Sequence, residues 1–201
     1  MTTWIEEPHG GRDRGPRALL RAWAEVLVRP RRFFRNGVAP GDQVPGLTFA
    51  VAVALAVLVE RLVLDPASLP EIGAGPVLST LLLFLLVGLV LAPAALHLTS
   101  AVQTVLLMLV VPDRGGISKP VQVIAYASAP CALAGVPVPA LRFACTAYGT
   151  VLLVVGLAEV HDASLPRAAV AGAIPAAALF GYGFGGVRAG EAVLTALGLL
   201  G

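Results

Sequence analysis

The sequence predicts an all-α, polytopic membrane protein, a bundle of about five transmembrane helices that follows a short amphipathic helix. Of the 201 residues, 57% are hydrophobic and only 13% are charged, whereas soluble domains are about 45–50% apolar and about 25% charged. After residue 46, long stretches carry no charge. A run of about 20 apolar residues crosses the hydrocarbon core as a helix. These observations exclude a soluble globular domain.

The apolar runs and the turn residues between them set the positions of the spans. The predicted spans are residues 47–64, 76–111, 119–136, 140–158 and 167–184. The second run is long for one crossing. Since no turn residues flank Pro93, we expect it to kink there and continue along the inner membrane surface. The chain then divides into a cytoplasmic tail (1–46), a transmembrane domain (47–187) and a short apolar tail (188–201).

A polar stripe runs along the second span. His97, Ser100 and Thr104 lie on one helical face with Gln103 beside them. Polar side chains within a span hydrogen-bond across helices more readily than they face lipid. We therefore expect this stripe to face the other helices.

The segment before the first span has the periodicity of an amphipathic helix. Charged residues recur at every fourth position of residues 17–29, and Leu, Trp and Val fill the opposite face. Pro30 ends the pattern. A helix with arginines on one side and Trp and Leu on the other is predicted to lie in the membrane interface. The alternative is that it packs on the protein's own cytoplasmic loops.

A cluster of arginines and phenylalanines follows this helix. Its arginines are Arg29, Arg31, Arg32 and Arg35. Each arginine near an anionic membrane surface contributes about 1 kcal/mol, so we predict contact with the anionic inner leaflet and insertion of Phe33 and Phe34 at the lipid boundary. Because the cluster directly precedes a span, a nucleic-acid partner is not expected.

The distribution of basic residues predicts the orientation. The arginine-rich N-terminus is assigned to the cytoplasm. The connection that contains Asp65 and Glu71 is assigned to the outside. The loops with Lys119 and Arg167 then fall inside. Five spans place the C-terminus outside.

No sequence pattern indicates catalysis, a cofactor or a metal. His97, and His161 beside Glu159 and Asp162, could only form a metal site across helices, because no three ligands lie within one or two turns. There is no Gly-x-Ser-x-Gly elbow and no phosphate-binding loop. The two cysteines lack the spacing of a zinc site. The sequence therefore indicates a protein that is not an enzyme.

Several segments, in order, resemble the Yip1-domain family of five-span membrane proteins. Residues 29–34 (RPRRFF) resemble its Pro-x-x-Phe opening, and residues 125–130 (AYASAP) resemble its third span. Val136-Pro137 and the Tyr148, Gly156-Leu157, His161, Ser164 series agree in spacing. The residues that the resemblance and the polar stripe single out, as motif or packing residues, are Pro30, Phe33, His97, Tyr126, Pro130, Pro137, Tyr148, Gly156, His161 and Ser164.

The resemblance implies a non-catalytic role in membrane organisation or trafficking-type protein interactions. Its partners would be the bilayer and other membrane proteins or a second copy of the chain. Eukaryotic members carry a longer acidic N-terminus implicated in binding Rab-type GTPases. This N-terminus is short and basic, and the GTPase-binding activity is therefore not expected here. The compact form resembles a prokaryotic member of the family, which would lie in the cell membrane. A small transporter or channel is the alternative, and a polar cavity at the bilayer midplane would favour it.

Overall fold

The computed structural model describes residues 15–72, 75–111 and 118–200, and the regular secondary structure within them is helical. The prediction of an all-α bundle is confirmed. The helices are α1 (Pro16–Val28), α2 (Pro30–Gly37), α3 (Val44–Leu64), α4 (Pro76–Val110), α5 (Ser118–Ala127), α6 (Pro139–Val160), α7 (Leu165–Gly183) and α8 (Gly186–Ala196). Most begin with a proline at the first or second position, where the missing N–H has no intrahelical partner to lose.

Four helices of the described residues, α3, α4, α6 and α7, are long and apolar enough to cross a membrane. Their bounds agree with four of the predicted spans. The long second run is one continuous helix, α4, of 35 residues. It widens into a π-helical turn at Val87–Leu91, directly before Pro93. Proline cannot donate to the carbonyl one turn earlier, and a wide turn is one way to accommodate that loss.

The third predicted span is shorter and less regular than the others. It consists of α5 and the 3₁₀ turns Ala129–Leu133, and almost all of its residues are buried within the protein. Near its start, Lys119 Nζ lies 3.3 Å from the carbonyl oxygen of Val160, at the end of α6. Beyond its end, the Gly135 N–H donates to Glu60, in the last turns of α3. The segment therefore connects the two ends of the bundle, and the count of five crossings stays a prediction.

Within the described residues, the two predicted tails contain helices that pack on the bundle. Ala22 and Val26 of α1 and Phe34 of α2 are buried in the same hydrophobic core as the long helices. At the other terminus, α8 packs along α6 so closely that a Cβ on Gly190 would lie 3.2 Å from the Phe143 ring. The core thus includes residues on both sides of the predicted domain boundaries.

Candidate functional site

Phe33 and Tyr126, two of the residues that carry the family resemblance, meet in an aromatic junction, which is formed by Phe33, Phe34, Phe49 and Tyr126. All four rings are buried to 1% exposure or less. The Tyr126 ring centroid lies 4.9 Å from that of Phe33 and 5.2 Å from that of Phe49. The ring planes are steeply inclined, at 80° and 72°, which is the edge-to-face geometry that aromatic quadrupoles favour. The junction joins α2, α3 and α5.

Gly156 of α6 lets that helix approach the junction. A Cβ at this position would lie 2.8 Å from Val123 Cγ1 and 2.9 Å from the Phe34 ring. The prediction that the two phenylalanines insert into lipid is wrong, because α2 turns them into the protein. Burial of Phe33 and Phe34 fixes α2 against α5 and α6.

A glutamine holds the connection between α2 and α3. The Ala39 N–H donates to Gln122 Oε1 at 3.1 Å, and Gln122 Nε2 donates to the Ala39 carbonyl at 2.7 Å. The fully buried side-chain amide of Gln122 thus satisfies both backbone groups of one residue. Sequence reasoning missed Gln122, although a lone amide in an apolar segment was an available signal.

The outward side of α2 carries the arginine collar, which we define as Arg29, Arg31, Arg32 and Arg35. All four are exposed. Arg35 Nη2 lies 2.7 Å from Glu159 Oε2, and Arg31 Nε lies 3.7 Å from Glu159 Oε1. Both arginine side chains are about two-thirds exposed, at 66% and 69%. The collar lies at the end of the bundle at which α6 ends.

At the opposite end, two charged residues hold the connection that follows the 3₁₀ turns. Glu60 Oε2 accepts the Gly135 N–H at 2.9 Å, and Arg142 Nε donates to the Ala134 carbonyl at 2.8 Å. The two side chains thus bind Gly135 and Ala134, which are adjacent residues of one short connection.

With this geometry defined, comparison with known proteins gives one match. The Yip1 domain matches residues 24–187, which is most of the chain. The chain belongs to the Yip1-domain family. The family and the four helices that are long and apolar enough to cross a membrane together show that it is a multi-pass membrane protein. No curated protein and no solved structure matches it.

The Yip1 domain begins within α1, which lies against the 3₁₀ turns. Trp23 Nε1 donates to the Ala129 carbonyl at 2.8 Å, and the Tyr148 hydroxyl donates to the Leu27 carbonyl at 2.5 Å. On the face expected to meet lipid, Val26 is buried, and Leu19, Trp23 and Leu27 are half-buried against the core, whereas Leu20 is 64% exposed. The helix α1 therefore packs on the protein, but it packs on α5 and α6 instead of on loops. The position of its charged face relative to the membrane stays a prediction.

The other predicted residues of the Yip1 domain lie apart from the aromatic junction. Pro130 is buried in the 3₁₀ turns. His161 is buried at the end of α6, where its backbone N–H donates to the Leu157 carbonyl. Pro137 and Ser164 are exposed in connections. Pro30 begins α2. Of the predicted motif residues, Phe33 and Tyr126 contact each other through their rings, and Gly156 lies beside the junction because it has no side chain.

Three of the four residues in the polar stripe of α4 face the other helices as predicted. Ser100, Gln103 and Thr104 are buried, and Gln103 Nε2 donates to the Ala171 carbonyl of α7 at 2.9 Å. His97 is exposed, so the prediction that it faces other helices is wrong. Its Nδ1 lies 2.8 Å from the Pro93 carbonyl, a partner within its own helix. The neighbouring helices cover Leu96 and Ser100 of α4 but leave His97 exposed.

Cavities in the described residues separate into apolar and polar ones. A cavity of about 200 Å³ between α3, α4, α5 and α7, and one of about 300 Å³ between α1 and α3, are lined mainly by aliphatic and aromatic side chains. A polar cavity of about 290 Å³ lies beside the collar, lined in part by Arg31, Glu159 and Asp162. Within the described ranges, no three His, Cys, Asp or Glu residues could hold a metal ion together.

Proposed function

We propose that this Yip1-domain protein organises membranes without catalysis, and that the arginine collar is its contact surface for anionic lipid head groups and for membrane-protein partners. The observation that carries the proposal is the construction of α2. One face of this helix is locked in the core by Phe33 and Phe34, and the other presents the exposed Arg31, Arg32 and Arg35, with the exposed Arg29 at the N-cap. A rigid base holds the charges in fixed positions, which lowers the entropic cost of binding.

The charge balance of the collar supports an anionic partner. Glu159 offsets part of the charge of Arg31 and Arg35, whereas Arg29 and Arg32 have no ion pair with any described residue. Each arginine at an anionic surface contributes about 1 kcal/mol. The collar can therefore select its lipid neighbours, while the apolar helices hold the protein in the bilayer.

The mainly apolar lining of the cavities between the long helices supports a role in organisation over solute passage. A pathway for ions needs polar groups at membrane depth. The polar cavity described above lies at the collar instead.

Reconstitution tests the lipid part of the proposal. The Arg29→Gln/Arg32→Gln variant and the wild type are placed in vesicles of phosphatidylcholine with phosphatidylglycerol, and bound anionic lipid is counted by native mass spectrometry. We expect the double variant to lose about 2 kcal/mol of binding. The Arg29→Lys/Arg32→Lys variant, which keeps both positive charges, is the control and should retain wild-type lipid. Equal lipid retention by all three proteins would contradict the proposal.

Two further measurements test the organising role. Crosslinking in native membranes followed by purification should recover a reproducible set of membrane proteins, and the double variant should lose it. Ion or solute flux above that of protein-free vesicles, unchanged in the double variant, would overturn the proposal in favour of a transporter.

A further inference from the structure

A groove with a volume of about 500 Å³ runs along the outside of the bundle between α6 and α7 and reaches α8. Small residues make up most of its lining, together with Phe143, Val154 and Phe180. On α7 the small residues recur at every fourth position, and together with α6 the groove is lined by Ala147, Thr150, Ala169, Ala173, Ala177 and Gly181. The three α7 alanines are exposed. Small residues at this spacing let another helix approach to backbone distance.

A ridge of large side chains lies beside this groove. Val170, Ile174 and Tyr182 each follow a groove residue by one position and are 65%, 58% and 78% exposed. One position on a helix is a rotation of about 100°, so ridge and groove run side by side along α7. A surface that carries both is complementary to itself, which a two-fold interface requires.

We infer that this face docks a second copy of the same chain, with the ridge of each α7 in the groove of the other. Apolar exposure alone would not support this, because lipid tails are as apolar as leucine. The entropic cost of binding distinguishes a helix from an acyl chain as the occupant. A helix enters the groove already ordered, whereas an acyl chain loses conformational freedom on entering.

Charges at the end of the groove select the same partner. Val187 of α8 lines the groove, and Glu191 lies one turn further on that face, with Arg188 within a turn of it. Both are exposed, and neither has an ion pair with any described residue. A two-fold axis along the membrane normal brings equivalent depths together. Arg188 and Glu191 are less than one turn of α8 apart, so each Arg188 would lie close to the depth of the other copy's Glu191, which gives two reciprocal pairs.

The second copy is a proposal separate from the arginine collar, because the pairs lie at the opposite end of the bundle from Glu159. Failure of either proposal leaves the other unchanged.

Charge reversal tests the pairing without altering the core. Fluorescently labelled protein is reconstituted at low protein-to-lipid ratio, and dimers are counted by single-molecule photobleaching. We expect Arg188→Glu and Glu191→Arg each to reduce the dimer fraction, and the double reversal to restore it. Additive loss in the double variant, or a wild type that stays monomeric as its density rises, would overturn the inference.

Groove substitution tests the position of the contact. Ala177→Leu fills the groove and should reduce the dimer fraction at least tenfold. Ala101→Leu, the same change at an exposed site on α4, should leave it unchanged. Equal effects of the two substitutions, or a monomer that carries a tightly bound lipid in the groove, would contradict docking by a second copy.

Discussion

At the scale of the residue, close approach decides which positions tolerate change. Gly156 and Gly88 both lie on long helices, but their surroundings differ. A Cβ on Gly156 would come within 2.8 Å of Val123 Cγ1, whereas a Cβ on Gly88 would lie 3.6 Å from Leu55 Cδ2, an ordinary contact. The first has no space to relax without moving the aromatic junction.

We therefore expect Gly156→Ala to destabilise the protein by about 1–3 kcal/mol, the usual cost of overpacking a core. Thermal unfolding in detergent measures the change. Gly88→Ala is the matched control and should unfold at the wild-type temperature. Wild-type stability of the Gly156→Ala variant would contradict the close approach of α6 to α2.

Gln122 shows the other kind of residue-scale effect, in which a partner is lost. Gln122→Met keeps the length of the side chain but removes both hydrogen bonds to Ala39, so the two backbone groups lose a buried partner. Each unsatisfied group costs about 1–3 kcal/mol. Gln122→Glu can still accept from the Ala39 N–H and should lose less stability in the same unfolding assay. The prediction fails if the two variants unfold at one temperature.

The pairing of Gln122 with Ala39 marks the limit of sequence reasoning at this scale. Hydropathy identifies the segment that contains Gln122, because the run around it is apolar. The partner lies 83 positions earlier in the chain, and no local pattern connects the two. Likewise, the spacing of Phe33 and Tyr126 agreed with the family, but their ring contact depends on how α2 turns after Pro30.

At the scale of the element, α2 is held by two kinds of interaction of different strength. Its phenylalanines are buried, and its ion pairs to Glu159 are exposed on the arginine side. Truncation of a buried phenylalanine costs about 3–5 kcal/mol, whereas exposed ion pairs contribute about 0–1 kcal/mol. The apolar face therefore dominates the docking of α2.

Phe34→Ala should accordingly unfold at a much lower temperature than the wild type, and Glu159→Gln should lose less than about 1 kcal/mol. Hydrogen exchange at residues 30–37 provides a local measurement and should rise sharply only in Phe34→Ala. A larger loss in Glu159→Gln than in Phe34→Ala would show that the charges hold the helix.

The sequence predicted α3, α4, α6 and α7 well because long apolar runs have one stable form in a bilayer, the helix. It predicted α5 less well. Hydropathy over residues 119–136 does not distinguish a straight span from a short helix followed by 3₁₀ turns. The difference depends on Pro130 and on partners supplied by α1, α3 and α6.

At the scale of the whole molecule, topology is the next property to measure. The basic collar predicts a cytoplasmic N-terminus, and five crossings place α8 outside. A Gly10→Cys variant should react with a membrane-impermeant thiol reagent only from the cytoplasmic side, and Thr195→Cys only from the other. Gly10 lies outside the described residues. Reaction of both from one side would contradict five crossings.

The dependence of the central segment on distant donors has a consequence for biogenesis. The Ala129 carbonyl takes its donor from Trp23, and the Ala134 carbonyl takes its donor from Arg142, so partners come from both earlier and later parts of the chain. An irregular backbone is not stable in lipid until such partners arrive. We expect a nascent chain truncated after residue 138 to be retained at the insertion machinery, and release into the bilayer to begin only once α6 has been synthesised.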